Sequence, residues 1–321
     1  MLLGVVVAAD LAATARTTLV PRRLAIFYGI PSLVNGAGGD VEKATAVFGE
    51  YDIVVFGDGL EFADVVSARS PAGAGPVEHA RTAAIIMGLA TTGRNPMVFG
   101  YVDLGRSQQL ADTEIARRIR LWRDMGARGI FFDEAGYDFG VTRQRQNTAV
   151  DAAHAAGMPV ILNAFRPDDV FLPSNGIPHR LKSGDAYLLE SFVVRNGVME
   201  QGAGWSAKAA RAVEYAGRAG VAVHATTTTE RRTPPGSRMV AYAWWAAALH
   251  GIDAFSWGEP AFGGPDSSLP WHERPEPLAS AIGGRYEDDV ALVDGVFSRR
   301  TDKGRIDLDS RRHAGTFTPG R

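Results

Sequence analysis

The stretch Gly129-Ile130-Phe131-Phe132-Asp133-Glu134 joins four residues typical of a buried strand to two adjacent carboxylic acids. Runs rich in Ile and Phe are typical of sheets that are covered on both faces. Because burying an unpaired carboxylate costs several kcal/mol, we expect the two acids to lie where the strand opens to solvent. In a barrel of parallel strands, the opening at the carboxyl ends of the strands is where active sites lie.

Seven further apolar runs alternate with helical patterns on both sides of this strand. The predicted strands are 24–30, 52–56, 97–102, 129–132, 159–163, 185–190, 221–225 and 252–257. The predicted helices are 41–51, 77–91, 112–125, 142–156, 206–219 and 237–250, with 277–286 as a short last helix. This alternation predicts an α/β fold, a single-domain (β/α)8 TIM barrel, with a doubly wound open sheet as the alternative.

Both ends of the chain lie outside this alternation. We expect residues 1–22 to be a leader or an extra N-terminal segment, 23–290 to be the barrel catalytic domain, and 291–321 to be a polar, disordered tail. The apolar start of the chain and the small residues at 11–15 suit a secretory signal, but no positive charge precedes the run and Asp10 interrupts it. Cleavage of the first segment is therefore left open.

Composition argues against several classes of function. The 321 residues carry a formal net charge of −2, with a pI near 6.4, so no bulk charge favours nucleic acid or an anionic membrane surface. No apolar stretch reaches the roughly 20 residues that span a bilayer. The chain has no cysteine, which rules out disulfides, thiolate metal sites and cysteine nucleophiles. We expect neither a nucleic-acid partner nor a membrane span, and the oligomeric state stays open.

Acidic and aromatic residues follow the predicted strands, at the ends that line the mouth of a barrel. Asp133, Glu134 and Glu190 are the predicted catalytic acids, because glycoside hydrolysis uses one protonated acid and one carboxylate. The predicted substrate-binding residues are Tyr28, Tyr101, Asp103, Asn163, His224, Trp257 and Glu259. Asp58 stands between two glycines and is predicted to belong to a turn.

The sequence lacks the residues that other chemistries of barrel enzymes need. The seven histidines are scattered, and only His224 falls at a strand end, so we expect a metal-independent site without a cofactor. Every lysine lies on a predicted helix or loop, which argues against imine chemistry in the mouth. The remaining expectation is hydrolysis of a polysaccharide or oligosaccharide by carboxylic acids.

Five motifs between residues 24 and 260 agree in residue type, order and spacing with one family. They are Phe99-Gly100-Tyr101-Val102, Trp122, the run from 129 to 134, Val160-Ile161-Leu162-Asn163, and Leu188-Leu189-Glu190. The chain thereby resembles the spherulation-specific family 4, or spherulin-like, glycosidases, which are related to polygalactosaminidases. The resemblance implies a barrel that degrades polysaccharides containing galactosamine or N-acetylgalactosamine, in an extracytoplasmic or secreted setting. It carries the functional acids over to Asp133, Glu134 and Glu190, with Asn163 beside them.

The chain departs from that family in two mouth loops. The family usually has Asn-Pro-Gly where this chain has Asn163-Ala164-Phe165, and a Thr and a Tyr where this chain has residues 103–106. Such loops contact the sugar. Two alternatives therefore stay open: a barrel glycosidase for another bacterial glycan, and a non-catalytic carbohydrate-binding or surface-layer module.

The two adjacent acids are expected to differ in function. Successive strand residues point to opposite sides, so Asp133 and Glu134 enter the barrel together only if the chain turns there, which Gly136 allows. We expect Glu134 to protonate the leaving oxygen, Asp133 to orient it or to stabilise charge on the sugar, and Glu190 to face the anomeric carbon. The gap between Glu190 and the acid would decide between retention and inversion.

Overall fold

Eight parallel strands close into a barrel, which confirms the predicted (β/α)8 fold and excludes the open sheet. The computed structural model describes residues 19–63, 75–234, 236–275 and 281–320. The strands are β1 (Arg22–Phe27), β2 (Ile53–Phe56), β3 (Met97–Asp103), β4 (Gly129–Asp133), β5 (Val160–Asn163), β6 (Ala186–Leu189), β7 (Val194–Arg195), β8 (Val198–Met199), β9 (Ala222–Thr226), β10 (Ala254–Ser256), β11 (Ala291–Val293), β12 (Val296–Thr301), β13 (Gly304–Asp309) and β14 (Ala314–Pro319). The order around the barrel is β1-β10-β9-β6-β5-β4-β3-β2, and β7 and β8 form a separate hairpin.

Helices cover the outside of the barrel between successive strands. They are α1 (Val41–Phe48), α2 (Pro76–Leu89), α3 (Asp112–Asp124), α4 (Arg143–Ala155), α5 (Asp168–Phe171), α6 (Gly204–Ala219) and α7 (Arg238–His250). Asp40 caps α1 through bonds from two backbone N–H groups, as its sequence position suggests. The weakly periodic connection between β5 and β6 contains only the short helix α5.

Strand side chains alternate between two buried clusters, one inside the barrel and one beneath the helices. The interior cluster is Leu24, Ile26, Ile53, Val55, Phe99, Tyr101, Phe131, Ile161, Ala186, Leu188 and Ala254. Gly100 has the opposite orientation and faces α3, where a Cβ would lie 2.0 Å from a ring carbon of Trp122. The Trp122 indole donates to the Tyr101 carbonyl at 3.0 Å, which anchors α3 on β3.

Residues 291–319 form a four-stranded antiparallel sheet, so the expectation of a disordered tail does not describe them. Alternate residues point inward: Ile306 and Leu308 are fully buried, whereas the neighbouring Arg305 and Asp307 lie on the other face. Phe297 is also buried and packs on Trp205 of α6, with ring centroids 5.1 Å apart. A strand with one solvated face is polar at every second residue, and this gives the segment the composition of a disordered tail.

Two further expectations concern segments near the ends. The possible signal peptide falls on residues 1–18, outside the described part of the chain, whereas Leu19 and Val20 are buried against the barrel. The predicted helix at 277–286 is wrong for residues 281–286, where the chain makes bends and a bridge from Tyr286 to Thr301; residues 276–280 lie outside the description. No helix among the described residues is long and apolar enough to cross a membrane.

Candidate active site

Four polar residues continue the inward-facing rows of four adjacent barrel strands. Asp103 follows Tyr101 on β3, Asp133 follows Phe131 on β4, Asn163 follows Ile161 on β5, and Glu190 follows Leu188 at the end of β6. Each polar residue lies two positions after a buried, inward-facing residue of its strand, so all four side chains enter the same mouth. Alternation therefore selects Asp133, not Glu134, as the acid that faces the barrel axis.

The Asn163 amide links two of the predicted catalytic acids. Its Nδ2 donates to Asp133 Oδ1 at 2.8 Å and to Glu190 Oε2 at 2.6 Å. The two carboxylate oxygens therefore lie no farther apart than these distances combined, about 5.4 Å. Asn163 is nearly buried, and its Oδ1 has no hydrogen-bond partner among the described residues. One amide group thus fixes the separation of the two acids.

Burial raises the pKa values of both acids, and the charge of Asp133 adds to the shift at Glu190. Burial raises the pKa of Asp133, against the opposing influence of the Asn163 amide, the Glu134 N–H and the Tyr101 hydroxyl, which stabilise the charged form. Burial and the charge of Asp133 raise the pKa of Glu190, while Asn163, Lys208 and Arg195 lower it. Each acid thus combines a desolvated position with donors that hold it in place, as active-site acids do.

Asp103 adds a third carboxyl group to the mouth. It is 1% exposed, and its Oδ1 accepts no hydrogen bond from the described residues. Burial, followed by the charges of Glu134 and Asp133, raises the pKa of Asp103 to about 6. The mouth therefore contains more carboxyl oxygens than the donors of the described residues bind.

Glu134 turns away from the acid pair and binds the loop after β3. Its backbone lies in the left-handed region, at φ 50°, and its N–H donates to Asp133 Oδ1 at 2.9 Å. The Ser107 hydroxyl and N–H, the latter at 3.1 Å, donate to the Glu134 carboxylate. A Cβ on Gly105 would lie 2.3 Å from Glu134 Oε2, so this contact needs glycine. The turn predicted near Gly136 occurs at Glu134 itself.

Tyr28 and Tyr101 form an aromatic wall beside the acids, in agreement with their predicted place at the mouth. Their rings pack edge to face with centroids 5.5 Å apart. Burial and the charges of nearby acids, Asp133 first among them, raise the pKa of both hydroxyls well above the usual value. Both hydroxyls are therefore neutral, and the Tyr101 hydroxyl donates to Asp133.

The structure does not bring the other three predicted substrate-binding residues to the acid pair. His224 is buried within β9, in register with Leu188 below the mouth. The Trp257 indole donates to Thr233 Oγ1 at 2.8 Å and lines a cavity on the outer side of the barrel wall. Glu259 accepts from His272 at 2.9 Å and from the Thr233 N–H at 3.2 Å. Trp257 follows the inward-facing Ala254 by an odd number of residues, so its side chain lies on the outer face of the barrel.

The sequence does not predict that several charged residues lie next to the mouth. Lys208 on α6 and Arg195 on β7 act on the charge of Glu190 although neither follows a barrel strand. Asp58, predicted as a turn residue, accepts from Arg118 and from Gln108, each at 2.7 Å, and its charge reaches Tyr28. These contacts depend on the positions of loops and helices around the barrel, which periodicity does not report.

No group of three or more His, Asp or Glu side chains in the described ranges is arranged to hold a metal ion. Metal independence stays a prediction.

Comparison with known proteins gives weak likenesses to barrel structures. No protein-family model and no curated protein matches the sequence. The glycoside hydrolase domain of PelA from Pseudomonas aeruginosa is 14% identical, with a TM-score of 0.46 over 78% of this chain and 100% of that one. Aspergillus fumigatus Ega3, in complex with galactosamine, is 15% identical, with a TM-score of 0.42 over 78% of this chain and 95% of that one.

Barrels of other chemistry match as well. The ribulose-1,5-bisphosphate carboxylase/oxygenase from Pyrococcus horikoshii is 13% identical, with a TM-score of 0.44 over 76% of this chain and 53% of that one. At such identities and TM-scores these likenesses carry no inference about activity. The fold is assigned from the strand order of this chain, and a proposal about function depends on the geometry of its mouth.

Proposed function

We propose that the protein is a glycoside hydrolase that uses Asp133 and Glu190 as its catalytic carboxylates. The observation that carries this proposal is the Asn163 amide, which bonds Asp133 Oδ1 at 2.8 Å and Glu190 Oε2 at 2.6 Å. Two carboxyl groups held at a short, defined separation beside aromatic rings are what hydrolysis of a glycosidic bond requires. Their raised pKa values support a pair in which one acid stays protonated while the other is charged.

The hydrogen bonds divide the roles between the two acids. Asp133 Oδ1 receives N–H groups from both Asn163 and Glu134, which stabilise its charged form. Asp133 is therefore proposed as the nucleophile and Glu190 as the acid that protonates the leaving oxygen. Retaining enzymes hold these groups about 5 Å apart, with room for no water between them. The close approach of the two oxygens supports retention of configuration.

Glu134 receives a different role from the one expected from the sequence. Its carboxylate is bound by Ser107, so it is not free to protonate a bond in front of Asp133. We place Glu134 at the rim of the mouth, where it fixes the loop after β3 and contacts sugar hydroxyls. Its charge also raises the pKa of Asp133 and Asp103.

The proposed substrate is a polysaccharide that contains galactosamine or N-acetylgalactosamine. The motif resemblance to spherulin-like glycosidases supports this choice. The carboxylates at Asp103, Asp133, Glu134 and Glu190 support its galactosamine units independently, because the ammonium group of a non-acetylated amino sugar would neutralise part of their charge. Tyr28 and Tyr101 supply aromatic surface for the sugar ring.

The test is release of reducing ends from a panel of amino-sugar polymers, widened to bacterial wall and exopolysaccharide glycans. We expect hydrolysis of at least one amino-sugar polymer, with retained anomeric configuration in the first product seen by NMR. Asp133→Asn and Glu190→Gln should each lower kcat by about a thousandfold or more, because each removes a group that acts in the reaction.

Asp124→Asn serves as the matched control, since it removes an exposed carboxylate that pairs with Arg123 at the C-terminal end of α3, where the chain leads to the amino end of β4. Near-normal hydrolysis in both Asp133→Asn and Glu190→Gln would reject the catalytic assignment. Binding of oligosaccharides without any turnover would favour a non-catalytic carbohydrate-binding module.

A further inference from the structure

The side of the mouth next to Glu190 carries two cations stacked on one exposed aromatic ring. Phe165 lies two residues after Asn163 and is 40% exposed. Lys208 Nζ lies 4.0 Å from the centre of its ring, and Arg195 Cζ lies 4.9 Å from the same point. We call Phe165, Arg195 and Lys208 the basic rim. Phe165 belongs to one of the two loops in which the chain departs from the spherulin-like pattern.

A strained hairpin places Arg195 on the ring. Ser191, Val193 and Asn196 all have φ between 51° and 56°, a region that is unfavourable for side chains and most of all for β-branched valine. Thr228 anchors the hairpin, since its Oγ1 bonds Ser191 Oγ and accepts from the Asn196 N–H, each at 3.0 Å. Backbone strain next to a catalytic acid, held by specific bonds, marks a segment built for a function.

The Lys208 ammonium has an unusual environment. It is partly buried, yet it makes no hydrogen bond or ion pair within the described chain. Burial and the charge of Arg195 lower its pKa to about 8, and Glu190, Glu200 and Asp138 oppose that shift without touching it. Glu200 itself pairs with Arg195 at 2.9 Å. Lys208 is thus a desolvated cation with three donors available, which favours an acceptor supplied by a ligand.

We propose that the basic rim binds an anionic group on a sugar adjacent to the glycosidic bond that is cleaved. The group is a carboxylate of an acidic sugar or a sulfate ester. This inference rests on the proposed function and narrows its substrate to a polymer that combines amino sugars with acidic ones. Carboxylates on the floor of the mouth and cations on one side match such alternating charges.

Equilibrium binding tests the rim without any turnover. Asp133→Asn protein is titrated in a calorimeter with an oligogalacturonide, a sulfated galacto-oligosaccharide and a neutral galacto-oligosaccharide of equal length. We expect one anionic oligosaccharide to bind about tenfold more tightly than the neutral one, because charge-assisted bonds to an ammonium are strong. The ranking of the carboxylate and sulfate ligands identifies the source of the anion.

Second substitutions in the Asp133→Asn protein test whether the rim causes the preference for anionic oligosaccharides. Lys208→Met should reduce this preference to within about twofold, whereas Lys208→Arg should retain it, since the arginine keeps the charge. Lys303→Met, which removes the charge of an exposed turn lysine between β12 and β13, is the matched control and should change nothing. Equal affinity for all three oligosaccharides, or a preference that survives Lys208→Met, would overturn the proposal.

The hydrolysis assay separates the two proposals. Turnover of amino-sugar polymers without any anion preference would reject the basic rim alone. A preference that depends on Lys208, in a protein that hydrolyses no glycan, would reject the proposed function and support the anion site.

Discussion

Replacing Asn163 by alanine tests the link between the two acids most directly. The change removes both amide bonds, to Asp133 Oδ1 and to Glu190 Oε2, without adding a charge. Both bonds stabilise the ionised carboxylates, so their loss raises the pKa of each acid. Asp133, the proposed nucleophile, is then ionised only at a higher pH.

The size of the effect follows from the strength of the lost bonds. A hydrogen bond to a charged group contributes about 1.5–3 kcal/mol, and a pKa change of one unit corresponds to about 1.4 kcal/mol. Because Asp133 is partly exposed, solvent replaces part of the lost stabilisation, and we take the lower value. The pKa of Asp133 should therefore rise by about one unit in Asn163→Ala.

The assay is the pH dependence of kcat/KM for the polymer identified by the panel, since its acid limb reports the free enzyme. We expect this limb to move upward by about one pH unit, with about a tenfold loss of rate on the limb itself. Asn147→Ala is the matched control, because Asn147 is also a nearly buried amide but donates to the Pro178 carbonyl on the outer side of the barrel.

An acid limb that stays in place in Asn163→Ala, in protein as stable as Asn147→Ala, would refute the reasoning. It would mean that the bridging amide does not set the charge state of Asp133. A limb that moves in both variants would point to a general loss of packing.

Three further changes test the acid cluster and the packing. Since folding raises the pKa of Asp103 from 3.8 to about 6, the stability given by its protonated form is complete below pH 3.8 and is lost as the pH rises through 6. Asp103→Asn should therefore raise the free energy of unfolding by about 3 kcal/mol at pH 8 and not at pH 3.5, measured by urea unfolding. Gly100→Ala forces a Cβ against Trp122 and should cost about 3 kcal/mol, so an unchanged Tm would contradict the packing. Phe297→Ala should cost about 3 kcal/mol through its contact with Trp205, whereas a disordered tail would show no change in Tm.

Strand alternation explains which site residues could be predicted. Asp133, Asn163 and Glu190 follow apolar strand residues, and in a parallel barrel all such ends meet at one mouth. The same period of two separates Asp133 from Glu134, although the sequence alone left open which of them entered. Trp257 was misplaced because its strand is short and its exact phase relative to Ala254 decides which face it occupies.

By itself, the sequence predicted the barrel and placed Asp103, Asp133 and Glu190 at strand ends, because periodicity and strand-end position are local properties of the chain. Only the tertiary structure decided which acids Asn163 links, where Glu134 is held and what surrounds Glu190. Asn163 joins Asp133 to Glu190 across three strands, and Ser107 reaches Glu134 from a neighbouring loop. Lys208 approaches Glu190 from a helix. Contacts between residues distant in sequence arise when the sheet closes and the loops pack, and no local pattern records them.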